Sequence, residues 1–375
     1  MKIAVLGSGM VGRTMAIDLA TKHHVTSFDA SEYALEFLKS KSTVVKTIKA
    51  DLSNYTSYQQ LLKPFDLVVT AVPGFMGYNT LKAVIEAGKN VADISFFPED
   101  ALQLDELAKE KNVTAIVDCG VAPGVSNLII GHYNELMRIE SFECYVGGLP
   151  KIRKKPFEYK APFSPIDVIE EYTRPARLKE NGQIVTKPAL TEIELMDFDA
   201  VGTLEAFNTD GLRSILFTMP HVPNMKEKTL RYPGHAQLII ALQRSGFFST
   251  ESIRFKNEEI IPLQYTSAIL LKEWKLQSNE EEFTVMKVIV KGKMNGTIKT
   301  IEYSMLNRFD AATQTSSMSR TTGYTCTAAA NVFAEGLFNE KGVFPPELVG
   351  KNETCFNYIL DYLRQRNVNW AKKEY

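Results

Sequence analysis

An α/β domain with a Rossmann-type, doubly wound parallel sheet is predicted at the start of this sequence. A second, α+β domain with a mixed or antiparallel sheet follows it. Three observations predict this. Short apolar runs alternate with helix-period segments through the first 120 residues. The first run enters Gly7-Ser8-Gly9-Met10-Val11-Gly12 and then a helix. Far downstream, two long alternating segments flank Asn295-Gly296, a favoured two-residue hairpin turn.

Residues 1–6 form an apolar run with Ile3 and Val5, enough for one buried strand. In the G-x-G-x-x-G segment, Gly7 permits a tight turn, Gly9 lets a pyrophosphate approach the backbone, and Gly12 lets helix and strand pack closely. Ser8, Met10 and Val11 complete the loop. The helix predicted over 13–20 then presents unpaired N–H groups to phosphates. A second strand, 24–28, ends on Asp29, 17 positions beyond Gly12. Strand, glycines, helix and acidic residue in that order predict a dinucleotide site. Asp29 suits a ribose 2′-OH and repels a 2′-phosphate, and Ala30-Ser31 supply no arginine, so the predicted cofactor is NAD. Lys22, His23 and Lys39 are the cations in the region.

The alternation continues. A third strand is predicted over 42–50, a short helix over 55–62, a buried strand over 66–72, and a helix over 78–87. A strand over 90–95, a helix over 98–111 and a sixth strand over 114–118 follow. In such sheets ligands sit beyond the carboxyl ends of the strands. The candidate cofactor residues there are Asp51, Leu52, Ala71, Val72, Pro73, Ser95 and Gly120, besides the glycine loop and Asp29. Asp51 has two readings at this stage, a contact to the adenine end or a cap for the next helix.

After Gly120 the pattern changes. The expected division is a cofactor domain over 1–120, a substrate and dimerisation domain over 121–320, and helices over 321–375 that return to the first domain. Val121-Ala122-Pro123-Gly124 reads as a turn, 125–137 as a helix and 142–148 as a strand. Residues 150–165 repeat proline and lysine and read as a surface loop. A short helix over 167–172 and a strand over 229–232 come next. Residues 283–293 and 297–307 are the hairpin strands. Helices are predicted over 324–338 and 357–366, separated by a Gly342-to-Pro346 stop.

Composition narrows the function. A length of 375 residues suggests two domains, and 45% hydrophobic residues is ordinary for a globular chain. A net charge of −1 gives no reason to expect nucleic acid or an anionic membrane. No apolar run reaches a membrane span, and the first strand is not a signal peptide. Four separated cysteines without C-x-x-C fit reduced thiols in the cytoplasm and argue against a metal site.

Several segments carry a family likeness. They are Asp118-Cys119-Gly120-Val121-Ala122-Pro123-Gly124, Tyr145-Val146-Gly147-Gly148-Leu149-Pro150, Phe157-Glu158-Tyr159-Lys160 and Leu204-Glu205-Ala206-Phe207. Arg231-Tyr232-Pro233-Gly234-His235, Arg320-Thr321-Thr322-Gly323-Tyr324 and Lys341-Gly342-Val343-Phe344-Pro345-Pro346-Glu347 follow in order. With these the chain resembles the saccharopine dehydrogenase-like family over almost its whole length. The resemblance implies an NAD-dependent enzyme that oxidises the ε-amine of lysine, acts as a homodimer, and closes Thr322 over the cofactor. Two departures bear on substrate. Thr209-Asp210-Gly211-Leu212-Arg213 is more charged than the lysine-oxidising branch, and Ala122 stands where saccharopine-type members carry an acid. The first departure makes saccharopine- or carboxynorspermidine-type imine reduction the alternative within the family, the second counts against its saccharopine branch, and a non-catalytic NAD-binding redox sensor is the alternative of another class.

Amine oxidation needs a neutral nitrogen, so a carboxylate near the reacting carbon is the simplest proton acceptor. Asp93 is the first candidate and Asp118 the second, both near strand ends in apolar surroundings that raise a carboxyl pKa. Either also reads as a backbone cap. Cys119 reads as a packing residue. Cations must hold the substrate carboxylate. Lys160, Arg174 and Arg213 are candidates, with Arg231 beside them, and His235 follows a Pro-Gly turn that restricts its backbone.

Overall fold

The computed structural model describes residues 1–161, 165–277 and 280–375. Chain contacts divide it into two units. One comprises Met1–Ile139, Gly292–Ile298 and Met318–Trp370, the other Glu140–Lys291, Lys299–Ser317 and Ala371–Tyr375. The first stretch of the first unit runs to Ile139.

The first unit begins with β1 (Lys2–Leu6), α1 (Met10–Leu19), β2 (His24–Asp29), α2 (Glu32–Lys41) and β3 (Lys46–Lys49). Then come α3 (Tyr58–Leu62), β4 (Leu67–Thr70), α4 (Gly74–Glu86), β5 (Asn90–Asp93), α5 (Asp105–Glu110), β6 (Thr114–Ile116) and α6 (Val125–Leu136). The strands are parallel, with β3, β2, β1, β4, β5 and β6 side by side. The chain runs outward one way from β1 and the other way from β4. The gap between β1 and β4 is thus the topological switch point where such sheets bind ligands. All four residues of β4 are buried, as expected of a strand covered on both faces.

The second unit contains most of β7 (Arg138–Pro150), then α7 (Pro165–Thr173), β8 (Ala176–Glu180), β9 (Gln183–Lys187), β10 (Glu194–Phe198) and β11 (Gly202–Asn208). It continues through α8 (Ile215–Thr218), β12 (Asn224–Arg231), α9 (His235–Arg244), β13 (Ile253–Phe255), β14 (Glu258–Ile260) and α10 (Pro262–Trp274). The long hairpin is β15 (Glu282–Met294) with β16 (Thr297–Arg308). Asn295 and Gly296 have φ of 51° and 81°, the two positive values a type I′ turn requires. The sheet is mixed, because β12 runs parallel to β7 and antiparallel to β11. Trp274, Tyr172 and Phe207 lie in one of its apolar clusters and Leu149, Leu230 and Val285 in another.

The chain closes with α11 (Ser317–Ala334), β17 (Gly342–Phe344), α12 (Pro346–Gly350), α13 (Glu353–Arg364) and β18 (Trp370–Glu374). Three local expectations change. Helix α11 starts seven residues before 324, because Thr321, Thr322 and Gly323 are weak helix formers that packing overrides. Gly323 rests on α1, where a Cβ would meet Met15 Cγ at 3.3 Å. The segment Gly342–Phe344 is more than a stop: it adds a parallel strand beside β6. The strand expected over 42–50 is only Lys46–Lys49.

Candidate active site

The glycine loop has the shape of a phosphate cradle. Gly7 holds a φ of 106°, and a Cβ there would meet the Ala71 carbonyl oxygen at 2.4 Å. A Cβ on Gly12 would meet the Gly7 carbonyl oxygen at 2.1 Å. Gly9 differs: its φ is −63°, and a Cβ would have no neighbour within 4 Å. Neither strain nor packing requires glycine at position 9. The open space above it, at the start of α1, fits a pyrophosphate against the backbone.

Asp29 is tied to this loop. Its Oδ2 accepts from Ser8 N at 2.6 Å and its Oδ1 from Ser31 N at 2.7 Å. Ser8 itself is fully buried, and its Oγ lies 2.8 Å from Ser27 Oγ. The neighbouring cations are engaged elsewhere. Lys22 pairs with Glu335 at 3.7 Å, Lys39 with Glu36 at 2.6 Å, Lys49 with Glu32 at 3.0 Å, and His23 bonds Asn331 at 3.0 Å. The Arg13 guanidinium lies 4.6 Å from the centre of the Phe37 ring.

The strand ends collect the acids. Asp93, the last residue of β5, stands in register with Thr70, the last of β4. Thr70 donates its hydroxyl to Asp93 Oδ1, and Ser95 N donates to the same oxygen at 3.1 Å. Asp93 is 1% exposed, and its Oδ2 is buried without a hydrogen-bond partner. Burial pushes its carboxyl up to about 7, against the hydrogen bonds from Thr70 and Ser95, with the charge of Asp118 adding to the rise. Asp118 follows β6 with a φ of 52° and is nearly buried. The Cys119 N–H donates to the Asp93 carbonyl at 2.9 Å, which ties the two strand ends together. Sequence reasoning missed Thr70, which reads as one more β-branched residue of a buried strand. The available signal was its place at the end of the strand next to Asp93.

Other expected cofactor residues divide by environment. Leu52 and Val72 lie in the apolar core of the first unit. Asp51 takes the capping role, accepting from Ser53 N at 2.9 Å and Ser53 Oγ at 2.6 Å. Pro73 is exposed, next to the start of α4. The Gly120 loop turns tightly through a cis Ala122–Pro123 bond, and a Cβ on Gly120 would lie 3.7 Å from Thr322 Cγ2 of α11. The Thr322 hydroxyl donates to Met318 Sδ at 3.5 Å. Cys119 is buried, with its thiol donating to the Ile116 carbonyl at 3.3 Å, as a packing residue would.

In the second unit several basic side chains have partners within the chain. Lys160 donates to the Glu273 carbonyl, and Arg174 pairs with Glu170 at 2.6 Å. Arg213 is nearly buried with a φ of 51°. Beside it Asp210 clamps Arg177 through two 2.9 Å bonds. His235 is 2% exposed: Nε2 lies 2.9 Å from Tyr172 Oη and Nδ1 3.0 Å from the Phe157 carbonyl. Burial and the Arg231 charge depress its pKa to about 3, so the ring is neutral. Arg231 bonds Tyr172 at 3.0 Å and Glu171 at 3.2 Å, and covers the Tyr159 ring. Among the described residues, no group of three His, Cys, Asp or Glu side chains is placed to hold a metal ion, and no helix is long and apolar enough to cross a membrane.

The saccharopine dehydrogenase NADP binding domain matches residues 3–116, and the saccharopine dehydrogenase C-terminal domain matches residues 120–368. The chain belongs to the saccharopine dehydrogenase family. Residues 3–116, just under a third of the chain, are a pyridine-nucleotide-binding domain of that family. Relatives include the alpha-aminoadipic semialdehyde synthase of Arabidopsis thaliana, 26% identical over 67% of this chain and 27% of that protein. The saccharopine dehydrogenase [NADP(+), L-glutamate-forming] of Pyricularia oryzae is 26% identical over 79% of this chain and 68% of its own. The carboxyaminopropylagmatine dehydrogenase of Synechocystis sp. is 21% identical over 92% of both chains. The chain spans only about a quarter to a third of the semialdehyde synthases. The apo saccharopine dehydrogenase (L-Glu forming) of Saccharomyces cerevisiae has the same fold, with a TM-score of 0.81 over 100% of this chain and 99% of that one at 19% identity.

Proposed function

We propose that this protein is an NAD-dependent dehydrogenase acting at a carbon–nitrogen bond, with the ε-amine of L-lysine as substrate, the reaction of a lysine 6-dehydrogenase. The observation that carries this reading is the buried carboxyl of Asp93, raised to about 7, with one oxygen unpartnered. A primary ammonium has a pKa of about 10.4 and must lose a proton before its carbon can give up hydride. Asp93 Oδ2 is the proposed acceptor, and Asp118 nearby favours a cation at the same place. Bound NAD supplies the hydride acceptor. Water then adds to the substrate iminium and releases ammonia and the aldehyde.

Residues of the glycine loop would hold the pyrophosphate, and Asp29 the ribose hydroxyls. NAD is proposed over NADP because Asp29 stands at the loop while Lys22, Lys39 and Lys49 are committed to carboxylates. A redox sensor that only binds NAD has no use for a buried, unpartnered carboxyl oxygen beside the cradle.

One observation favours a second reading. The Synechocystis relative matches over nearly its whole length, and its name implies an N-carboxyalkyl amine. Reduction of an imine formed from an aldehyde and an amine would use the same acid in the opposite direction. Steady-state assays in both directions test the choice: lysine with NAD, then NADH with aldehyde–amine pairs. Turnover only in the second assay rejects lysine as substrate.

A further inference from the structure

We propose that Thr70 is a positioning residue for proton transfer: its hydroxyl holds Oδ1 of Asp93 and leaves Oδ2 to exchange the proton. The inference rests on the reading of Asp93 as the base and adds to it which oxygen reacts and what sets its proton affinity.

The argument begins with register. β4 and β5 are parallel neighbours, and Thr70 and Asp93 are their paired last residues. Thr70 is fully buried and Asp93 is 1% exposed, so water does not compete for the bond between them. The main chain of Thr70 is fixed independently, its carbonyl accepting from Ile94 N at 3.2 Å. Oδ1 therefore has two donors, the Thr70 hydroxyl and Ser95 N, whereas Oδ2 has none. A carboxyl with one oxygen saturated in this way carries its proton on the other. Donors to a carboxylate also favour its charged form, so the Thr70 hydroxyl counteracts part of the effect of burial. Without it the group would stay protonated to higher pH, and less base would be present at neutral pH.

Threonine to valine removes the hydroxyl while keeping shape, volume and β-branching in a buried strand. The experiment is an infrared titration of the full-length protein from acid to alkaline pH. The protonated-carboxyl band of Asp93 is isolated by subtracting the Asp93→Asn spectrum. The wild-type band should fall with a midpoint at about 7. In Thr70→Val the midpoint should rise by about one pH unit, the size expected for one lost hydrogen bond to a charged group. Thr70→Ser should return it to the wild-type value. Thr70→Cys, a weaker donor of similar size, should fall between and serves if the valine variant does not fold. A midpoint that is the same in wild type, Thr70→Val and Thr70→Cys overturns the proposal and leaves the base assignment standing. Lysine oxidation that survives Asp93→Asn removes Asp93 as the base, and with it any role for Thr70 in the reaction.

Discussion

Arg366 donates its Nε to the Asp18 carboxylate at 2.6 Å, joining residues 348 positions apart in sequence. Thr327 and Tyr362 donate to the other oxygen at 2.5 and 2.7 Å, and the Arg366 guanidinium lies 3.4 Å from the centre of the Tyr362 ring. Asp18 sits on α1, Thr327 on α11 and Tyr362 on α13, so one nearly buried carboxylate ties the last helices to the helix that follows the glycine loop. Asp18→Ala leaves Arg366 without its buried partner. It should destabilise the protein by about 3 kcal/mol in chemical denaturation. A change under about 0.5 kcal/mol, the scale of an ordinary surface substitution, would show that the tie does not hold the tail in place.

The glycine loop yields a paired prediction. Gly12→Ala forces a Cβ to within 2.1 Å of the Gly7 carbonyl and should lower thermal stability as well as NAD affinity. Gly9→Ala meets open space, so thermal stability should stay near wild type while NAD affinity falls at least roughly tenfold, because the methyl occupies the proposed phosphate position. Calorimetric binding and melting of both variants check this. A Gly9→Ala protein that binds NAD normally would remove the pyrophosphate from that place.

On the proposed reading, Asp29 sets the choice of nucleotide. Asp29→Ala removes the acceptor for ribose hydroxyls and the repulsion against a 2′-phosphate. NAD affinity should fall roughly tenfold, and the ratio of NADP to NAD affinity should rise more than that. Fluorescence titration with NADH and NADPH measures both. Wild-type protein that already prefers NADPH would contradict the assignment of NAD.

Much of this was legible in the sequence. Gly7 and Gly12 were legible because each meets a backbone requirement that few residue types satisfy. Asn295-Gly296 fixed the hairpin for the same reason. β17 was not legible, since Gly342, Val343 and Phe344 are too few to show a period and acquire strand character only beside β6. The surroundings of His235 were not legible, because a histidine after Pro-Gly does not reveal that Tyr172 and Phe157, distant in sequence, lie against both its nitrogens. Thr70 was missed for the complementary reason, its partner lying one strand away.

The burial of Asp93 also has a thermodynamic consequence. Its pKa is about 7 in the folded protein against an ordinary 3.8. Between these values the folded state holds a proton that the unfolded state has released, so stability falls as pH rises through this window and levels off above it. Asp93→Asn removes the penalty. The variant should be more stable than wild type at about pH 8, by a few kcal/mol at most, and close to wild type below about pH 4. His235 acts in the opposite sense, because its folded pKa is depressed to about 3 and stability is lost as pH falls from about 6.5 toward that value. Denaturation of Asp93→Asn and wild type at matched pH separates the two. Equal stabilities at about pH 8 would mean that burial does not raise the Asp93 pKa above its ordinary value.

The most direct test of the central claim is NADH formation by purified protein with NAD and L-lysine at about pH 9, where more of the ε-amine is neutral, compared with Asp93→Asn. The account predicts a clear rate in the wild type and a loss of at least roughly a hundredfold in the variant, with NAD binding unchanged. A variant that oxidises lysine as fast as wild type would contradict Asp93 as the base. A wild type that binds NAD and leaves lysine untouched would contradict lysine as the substrate.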